Sequence, residues 1–343
     1  MAKLTPKENY MMILRGEQPE WVPKYTFGPD PYSSRPAPVF LLGPGVLLNH
    51  LYEPGVTKDP WGVTYVPVVE AGNSKIPEPG NFILDDITKW RDVIKAPDLS
   101  GVDWERMAKK ELEESGIDRT QTALCFDMHV GYFQNLMSFM GFSEGLCAMY
   151  EEPEEVKALM EYLCDFYMDV AEKCIDYYKP DIMNVTDDTA TWLNPFFSLE
   201  TYRELFKPYH ARQAALGTDR GLPVEMHNCG RCEDFIDDWR DFGIVSWNPA
   251  QTSNNLLAIK EKYGNSLVIN GGWSLSGELL DKDVTEETVK ESVYRTIDKL
   301  AVGGGYAFCG GYLGAPDDED IRKKNRWIAE AVESYGATFY QTH

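Results

Sequence analysis

The chain has 343 residues and a formal net charge of −22 at pH 7, with 33 Lys and Arg residues against 55 Asp and Glu residues. This acidity argues against DNA, RNA or an anionic membrane surface as a partner, because each of these requires a basic patch. The length suits either two domains or one large α/β barrel. The seven cysteines show no disulfide spacing, and the sequence shows no signal peptide or long apolar span, so we expect a cytoplasmic protein.

The N-terminal part of the chain combines a helix, two strands and a long loop. Thr5-Pro6-Lys7-Glu8 predicts the start of a helix that runs to Gly16, because Thr caps a helix well and Pro and Glu suit its first turn. Strands are predicted at residues 21–27 and 61–70. Residues 28–60 are rich in Pro, Gly, Ser and aromatic residues without a period, which predicts a long ordered loop that covers a functional part of the molecule.

From residue 99 onward, helical and strand patterns alternate. Strands are predicted at residues 122–128, 181–188, 222–229, 244–247, 267–270 and 305–309. Helices are predicted at residues 99–119, 141–149, 153–178, 254–263, 284–301 and 317–335. Such alternation indicates a parallel sheet with crossover helices. We therefore predict one domain over residues 1–343, a (β/α)8 TIM barrel with an N-terminal helix and a long ordered loop after the first strand. An open doubly wound sheet is the alternative.

Polar residues and cysteines collect where the predicted strands end. They are His129, Asp187, Asp188, His227, Cys229, Asn248, Asn270 and Cys309. In a barrel of parallel strands, the carboxyl ends of the strands form the active face. The placement therefore favours the barrel and predicts a functional site at that face. No glycine-rich run has the G-x-G-x-x-G spacing of a dinucleotide site, so no nucleotide is expected.

The run Val224-Glu225-Met226-His227-Asn228-Cys229-Gly230 is the strongest candidate for a metal site. Alternate side chains of a strand share a face, so His227 and Cys229 are expected to point the same way. Cys309 ends a second short run and can supply a third ligand. One His and two Cys with an open fourth position are typical of catalytic zinc. Glu225 shares the face of His227, and it is a candidate fourth ligand or a buried group below the metal.

Two other interpretations of the cysteines stay open on the residues alone. Cys309 can be an apolar core residue, since free cysteines are often buried. Cys229-Gly230-Arg231-Cys232 forms a C-x-x-C pair, which occurs in redox sites and in structural zinc sites. The sequence has no second C-x-x-C pair that would complete such a structural site.

Several motifs together resemble the uroporphyrinogen decarboxylase superfamily over nearly the full length of the chain. They are Thr5-Pro6-Lys7-Glu8 with Leu14-Arg15-Gly16, Asp187-Asp188 followed by Phe197-Ser198-Leu199-Glu200-Thr201-Tyr202, and the glycine-rich strand near Cys309. Within that superfamily the chain resembles the zinc-dependent corrinoid methyltransferases, which implies that His227, Cys229 and Cys309 bind the metal. True uroporphyrinogen decarboxylases use an arginine-rich segment after the first strand. This chain has Phe27-Gly28-Pro29-Asp30-Pro31-Tyr32 there, with only Arg35 nearby, so a substrate with many carboxylates is poorly supported.

The runs around the predicted metal site resemble the methyl-loading components of aryl methyl ether O-demethylases. They are His227-Asn228-Cys229-Gly230-Arg231-Cys232-Glu233, Trp247-Asn248-Pro249-Ala250-Gln251 and Gly271-Gly272-Trp273. The resemblance implies an enzyme that cleaves an aryl methyl ether, with zinc as a Lewis acid, and transfers the methyl group to Co(I) of a separate corrinoid protein. The alternatives are methyl transfer from a corrinoid protein to a thiol or tetrahydrofolate, and a lyase like uroporphyrinogen decarboxylase. In one departure, the distantly related cobalamin-independent methionine synthases place a Glu ligand where this chain has Trp247-Asn248.

Substrate contacts are predicted at the same face. The aromatic candidates for a slot that holds a flat ring are Tyr25, Phe27, Tyr132, Phe133, Trp192, Trp247, Trp273 and Tyr312. For each of them the alternative is packing in the core. The polar candidates, which can orient ring substituents or protonate a departing phenolate, are His129, Asp187, Asp188, Asn248 and Gln251. For the two aspartates the alternative is helix capping at the turn between strand and helix.

Overall fold

A computed structural model describes residues 4–69, 72–315 and 317–342. Its strands are β1 (Val39–Leu42), β2 (Thr57–Lys58), β3 (Thr64–Val68), β4 (Ser74–Pro77), β5 (Ala123–Phe126), β6 (Ile182–Thr186), β7 (Val224–His227), β8 (Ile244–Ala250), β9 (Val268–Gly272) and β10 (Tyr306–Cys309). Its α-helices are α1 (Pro6–Leu14), α2 (Gly45–Tyr52), α3 (Trp90–Val93), α4 (Trp104–Ser115), α5 (Tyr132–Met140), α6 (Phe142–Glu151), α7 (Pro153–Tyr178), α8 (Leu199–Leu205), α9 (Lys207–Thr218), α10 (Ile236–Asp241), α11 (Leu256–Tyr263), α12 (Glu286–Leu300), α13 (Glu319–Tyr335) and α14 (Phe339–Thr342). No helix within the described ranges is both long and apolar enough to cross a membrane.

Seven strands form one curled parallel sheet, in the order β1-β5-β6-β7-β8-β9-β10. All neighbouring strands of this sheet run parallel, with helices in the crossover connections. The predicted parallel α/β architecture is thus confirmed in a TIM-barrel-like form. Because parallel strands end at the same edge, the register aligns Thr186 with His227 and His227 with Asn248 at the carboxyl edge of the sheet.

The segment predicted as the first strand, residues 21–27, lies beside the last strand of the sheet. Lys24 forms a single parallel bridge with Phe308, flanked by hydrogen bonds of Phe308 N–H to the Pro23 carbonyl at 2.9 Å and of Tyr25 N–H to the Phe308 carbonyl at 2.8 Å. At its other end, the carbonyl of Phe27 accepts from the N–H of Leu41 in β1 at 3.4 Å. An eighth regular strand is therefore not formed in the described residues, and this segment reaches both edges of the sheet instead.

The prediction of one long loop over residues 28–60 was wrong in part, because the stretch contains β1 and α2. The other N-terminal strand, predicted at residues 61–70, exists as β3, but it does not join the parallel sheet. It pairs antiparallel with β2 and β4 in a separate three-stranded sheet, which we call the small sheet. Glu70, at the end of the predicted strand, lies outside the described residues. The short apolar run of β1 stands among prolines and glycines, which conceals it from a pattern search.

The N-terminal helix closes the amino end of the parallel sheet. Thr5 and Glu8 form the expected capping box, in which each side chain accepts from the backbone N–H of the other residue. Lys7 ties the helix to residues that precede β5 and β6, through the Arg119 carbonyl and the Asp181 carboxylate. The helix buries Tyr10, Ile13 and Leu14 against inward-facing residues of the strands. A larger apolar cluster fills the space between the sheet and the outer helices.

Candidate metal centre and adjoining cavity

Three side chains with different donor atoms meet at the carboxyl edge of the parallel sheet. The ligand atoms of Asp188, His227 and Cys229 all lie within 4.8 Å of one another, and we call this group the donor cluster. His227 Nε2 is 3.9 Å from Cys229 Sγ and 3.9 Å from Asp188 Oδ1. Nitrogen, thiolate and carboxylate donors are the ligand types that zinc uses in proteins. The residues present therefore fit a zinc ion by donor type and by spacing.

The loop after β7 is held so that Cys229 turns back toward Asp188. The Cys229 N–H donates to Asp188 Oδ1 at 2.7 Å, and the next N–H, of Gly230, donates to Gln251 Oε1 at 2.8 Å. Gly230 has φ of +88°, and a Cβ atom there would lie 2.5 Å from the Thr191 carbonyl oxygen. Only glycine fits such a close backbone approach in a left-handed conformation. The glycine that follows His-x-Cys is thus required by the turn.

Asn248 orients the imidazole of His227. Its Oδ1 lies 2.8 Å from His227 Nδ1, while its Nδ2 donates to Glu225 Oε2 at 3.4 Å. Because the amide nitrogen faces Glu225, the amide oxygen faces His227 and accepts the proton of Nδ1. The lone pair of Nε2 is then free to point at the donor cluster. A hydrogen bond to the far nitrogen is the usual support of a metal-binding histidine.

Glu225 lies below the donor cluster and not within it. The carboxylate is fully buried, and it accepts hydrogen bonds from the hydroxyls of Tyr10 at 2.5 Å and Tyr25 at 3.0 Å. Burial raises the pKa of Glu225 to about 7, although these hydrogen bonds act in the opposite direction. Of the two roles that the sequence left open, the geometry favours the buried supporting group. Asp188 is the carboxylate that stands beside His227 and Cys229.

The three cysteines near the site differ in their surroundings. Cys309 ends β10 and is half-buried, but it is not part of the donor cluster found among the described residues. It is near enough that its charge contributes to the raised pKa of Cys229, which burial and Asp188 raise most. Burial raises the pKa of Cys309 itself to about 12. Cys232 is fully buried, and its thiol donates to the Cys229 carbonyl at 3.0 Å, away from the cluster.

A cavity of about 620 Å³ adjoins the donor cluster, with Asp188 and Cys229 in its wall. Other walls come from α2, the small sheet and α5, so residues 47–65 and 75–79 contribute to the cover of the site. The Trp, Tyr and Phe rings that line the cavity are Trp61, Tyr65, Phe82, Phe133, Phe142, Tyr167 and Phe196. A mostly apolar cavity with a few polar groups is typical of a small-molecule site, and this volume suits a substituted aromatic ring.

His129 stands in the cavity wall next to the donor cluster. Its backbone is left-handed, with φ of +47°, and its Nδ1 lies 3.3 Å from Asp127 Oδ2. Burial alone would lower the pKa of His129, but the hydrogen bond and the charge of Asp127 outweigh it and raise the pKa above its ordinary value. The His129 ring centroid is 6.2 Å from that of His227. His129 therefore places an imidazole that binds a proton more readily than usual where the cavity meets the donor cluster.

Most of the other residues predicted for substrate binding lie outside the cavity wall. Asp187 is fully buried and caps α5, because it accepts from the N–H groups of Phe133 at 2.9 Å and Gln134 at 3.2 Å and contacts His210 Nε2 at 3.0 Å. Gln251 holds the loop at Gly230. The aromatic candidates that are buried away from the cavity are Tyr25, Tyr132, Trp247 and Trp273. Trp192 is half-exposed on the loop after β6.

The sequence patterns did not single out the residues of α2 and the small sheet that line the cavity. Besides the aromatic rings, these residues include His50 and Lys75, and Asp59 lines the cavity from the turn between β2 and β3. The one available signal was the length and aromatic content of residues 28–60, which predicted a covering segment without indicating which side chains face inward.

Comparison with known proteins supports the assignment of the fold and the family. A family model described as uroporphyrinogen decarboxylase (URO-D) matches residues 127–319, more than half of the chain. No curated protein sequence matches the chain. Among solved structures, a methyltransferase from Methanosarcina mazei is similar in fold, with a TM-score of 0.64 and 12% identity, covering 97% of this chain and 99% of that chain. A B12-independent methionine synthase from a Shewanella species, in complex with selenomethionine, has a TM-score of 0.43 and 10% identity, covering 81% of this chain and 74% of that chain. The chain belongs to the uroporphyrinogen decarboxylase (URO-D) family.

Proposed function

We propose that this protein is a zinc-dependent methyltransferase that cleaves an aryl methyl ether and passes the methyl group to the Co(I) corrinoid of a separate protein. The observation that carries the proposal is the donor cluster, which opens onto a mostly aromatic cavity. The M. mazei protein of similar fold is named a methyltransferase, which agrees with this class of reaction. The cavity also agrees with a flat, apolar substrate.

We propose that His227, Cys229 and Cys309 hold the metal, with Asp188 beside them. When bound, zinc supplies a Lewis acid for the ether oxygen, and the corrinoid supplies the Co(I) nucleophile for the methyl carbon. Asn248 keeps His227 in the tautomer that can bind metal. The Cys229 N–H bond to Asp188 keeps the cysteine turned toward the cavity. These contacts exist in the protein itself, so His227 and Cys229 need little rearrangement to bind the metal.

The remaining residues of the cavity assist the departing oxygen and exclude water. As the bond from oxygen to methyl breaks, its electron pair stays on oxygen, and the oxygen can take a proton there. His129 is the group best placed to give this proton, because it lies in the wall next to the donor cluster and its pKa is raised above the ordinary value. The ring of Phe27, 5.5 Å from that of His227, and the aromatic wall limit access of water.

The direct test of the proposed function is demethylation of methoxyarenes by the purified chain, loaded with zinc and mixed with free cob(I)alamin as acceptor. We expect one phenol and one methylcobalamin to form for each methyl group transferred. Chromatography measures the phenol, and absorbance measures the methylcobalamin. Omitting the cobalamin or replacing His227 by Ala should abolish both products. Phenol release without any corrinoid would contradict the proposed acceptor. Methyl transfer only from methylcobalamin to a thiol or tetrahydrofolate would show that the protein works in the other direction.

Replacing Asn248 by Ala is expected to weaken zinc binding by about tenfold to a hundredfold, because the imidazole of His227 loses the hydrogen bond that fixes its tautomer. Competition with a chelator of known affinity measures this change. Asn81→Ala, in an exposed loop, is the control and should leave zinc affinity unchanged. Parent-like zinc binding by folded Asn248→Ala would contradict the supporting role of this residue.

A further inference from the structure

Lys75 places an ammonium group in the cavity wall without a carboxylate partner. The residue lies in β4, and its Nζ donates to two uncharged oxygens, the His50 carbonyl at 2.6 Å and Thr57 Oγ1 at 2.7 Å. No carboxylate of the described residues lies within ion-pair distance of it, although the chain has 55 acidic residues against 33 basic ones. Lysine has three N–H donors, so one remains for another acceptor. An unpaired charge in a mostly apolar cavity costs free energy, so a bound anion would be stabilised beside Lys75.

His50 adds a second unused polar atom beside Lys75. Its imidazole lines the cavity and packs edge-on against Tyr65, with ring centroids 4.8 Å apart. The ring atom Nδ1 is buried and makes no hydrogen bond of normal geometry. Burial, together with the charges of Lys75 and His129, lowers the pKa of His50 to about 4, so the ring is neutral near pH 7. A neutral imidazole can donate one N–H to a bound oxygen.

The acidic groups of the cavity are already engaged elsewhere. Asp59 uses Oδ1 to accept the N–H groups of Trp61 at 2.9 Å and Val63 at 2.8 Å, which shapes its own turn. Asp188 belongs to the donor cluster, where a bound metal ion would offset its charge. Neither acid forms an ion pair with Lys75. Among the described residues that line the cavity, Lys75 is thus the one lysine or arginine, and it lies in the small sheet, apart from the donor cluster.

We propose that Lys75 and His50 bind a carboxylate on the substrate ring, so that the substrate class is the methoxybenzoates. This inference rests on the proposed function, because it assumes that the methoxy group faces the donor cluster. The carboxylate then faces the small sheet, where Lys75 supplies the charge and His50 a further N–H. A carboxylate that binds a charged donor in an enclosed site gains more than a neutral group of the same shape.

The test must distinguish carboxylate binding by Lys75 from a purely structural role of this residue. Lys75 also ties β4 to β2 and to the carboxyl end of α2, where a cation is favourable. Lys75→Gln keeps hydrogen-bond donors at the position but removes the charge. Lys58→Gln is the matched control, because Lys58 is an exposed lysine of the same small sheet that does not line the cavity.

The experiment is titration calorimetry of the zinc-loaded protein with each of the three methoxybenzoates and with the corresponding methoxybenzamide, its uncharged analogue. We expect the parent to bind at least one methoxybenzoate about tenfold more tightly than its benzamide, the size of effect typical of a hydrogen bond to a charged group. Lys75→Gln should lose this preference with little change in benzamide binding or in melting temperature, and Lys58→Gln should keep it.

Equal binding of acid and amide by the parent, or no binding of either, would overturn the proposal. So would an acid preference that survives in folded Lys75→Gln. Binding requires no corrinoid, so the two proposals fail separately. An acid preference without demethylation would contradict the methyl transfer and leave the carboxylate site standing. Demethylation of uncharged methoxyarenes, without a preference for binding the acid, would contradict the carboxylate site and support the methyl transfer.

Discussion

His227→Ala and Cys229→Ala are expected to give folded proteins that retain little zinc and release no phenol from a methoxyarene. Each change removes one donor from a group whose ligand atoms lie within 4.8 Å of one another. The site is assembled from two strand ends of the finished sheet, so the loss of metal should leave the fold intact. Metal analysis of the purified variants, with circular dichroism as the check on folding, measures the result.

The remaining cysteines provide the contrast for this experiment. We expect Cys309→Ala to lose zinc as well, because Cys309 ends β10 at the same carboxyl edge and its charge contributes to the raised pKa of Cys229. Cys232→Ala should keep about one zinc per chain, since the Cys232 thiol is buried and donates to the Cys229 carbonyl. A zinc content in Cys309→Ala equal to that of the parent would show that Cys309 is not a zinc ligand. Loss of zinc in Cys232→Ala would instead indicate a C-x-x-C site.

Glu225→Gln is expected to change the pH dependence of stability by about 3 kcal/mol. Burial raises the pKa of Glu225 from 4.5 to about 7 in the folded protein. Below pH 4.5 the carboxyl of Glu225 is protonated in both the folded and the unfolded parent, and its contribution to the free energy of unfolding is complete. This contribution is lost as the pH rises from 4.5 through about 7, because the unfolded state releases the proton at a lower pH than the folded state. Glutamine stays neutral throughout, so Glu225→Gln should become more stable relative to the parent between these two pH values.

Urea unfolding of parent and variant at several pH values, in the presence of a chelator, measures this difference. The chelator removes any contribution from bound metal, which would otherwise change with pH as well. Glu261→Gln, a change at an exposed glutamate of α11, is the control and should show no such trend. A difference between Glu225→Gln and the parent that stays constant from pH 4.5 to 8 would contradict the raised pKa.

Local patterns predicted the elements whose signals lie within a few residues. The capping box of Thr5 and Glu8 started the N-terminal helix where expected, and the apolar period of residues 153–178 matches α7 at both ends. The two-residue spacing of His227 and Cys229 correctly placed their ligand atoms on one side of the chain. The alternation of strands and helices also predicted the parallel sheet. Each of these features depends on neighbours in the sequence.

The sequence by itself thus determined the α/β architecture, the cap of the N-terminal helix and the placement of His227 and Cys229 on one side of the chain. Only the tertiary structure decided that Asp188 joins these two residues and that Glu225 supports them from below. It also decided that Tyr132 and Trp273 pack in the core, while residues of the small sheet, Lys75 among them, line the cavity. Periodicity shows which side of an element is apolar, but distant segments decide whether that side meets the core or a cavity, and residues far apart in the chain carry no shared local pattern.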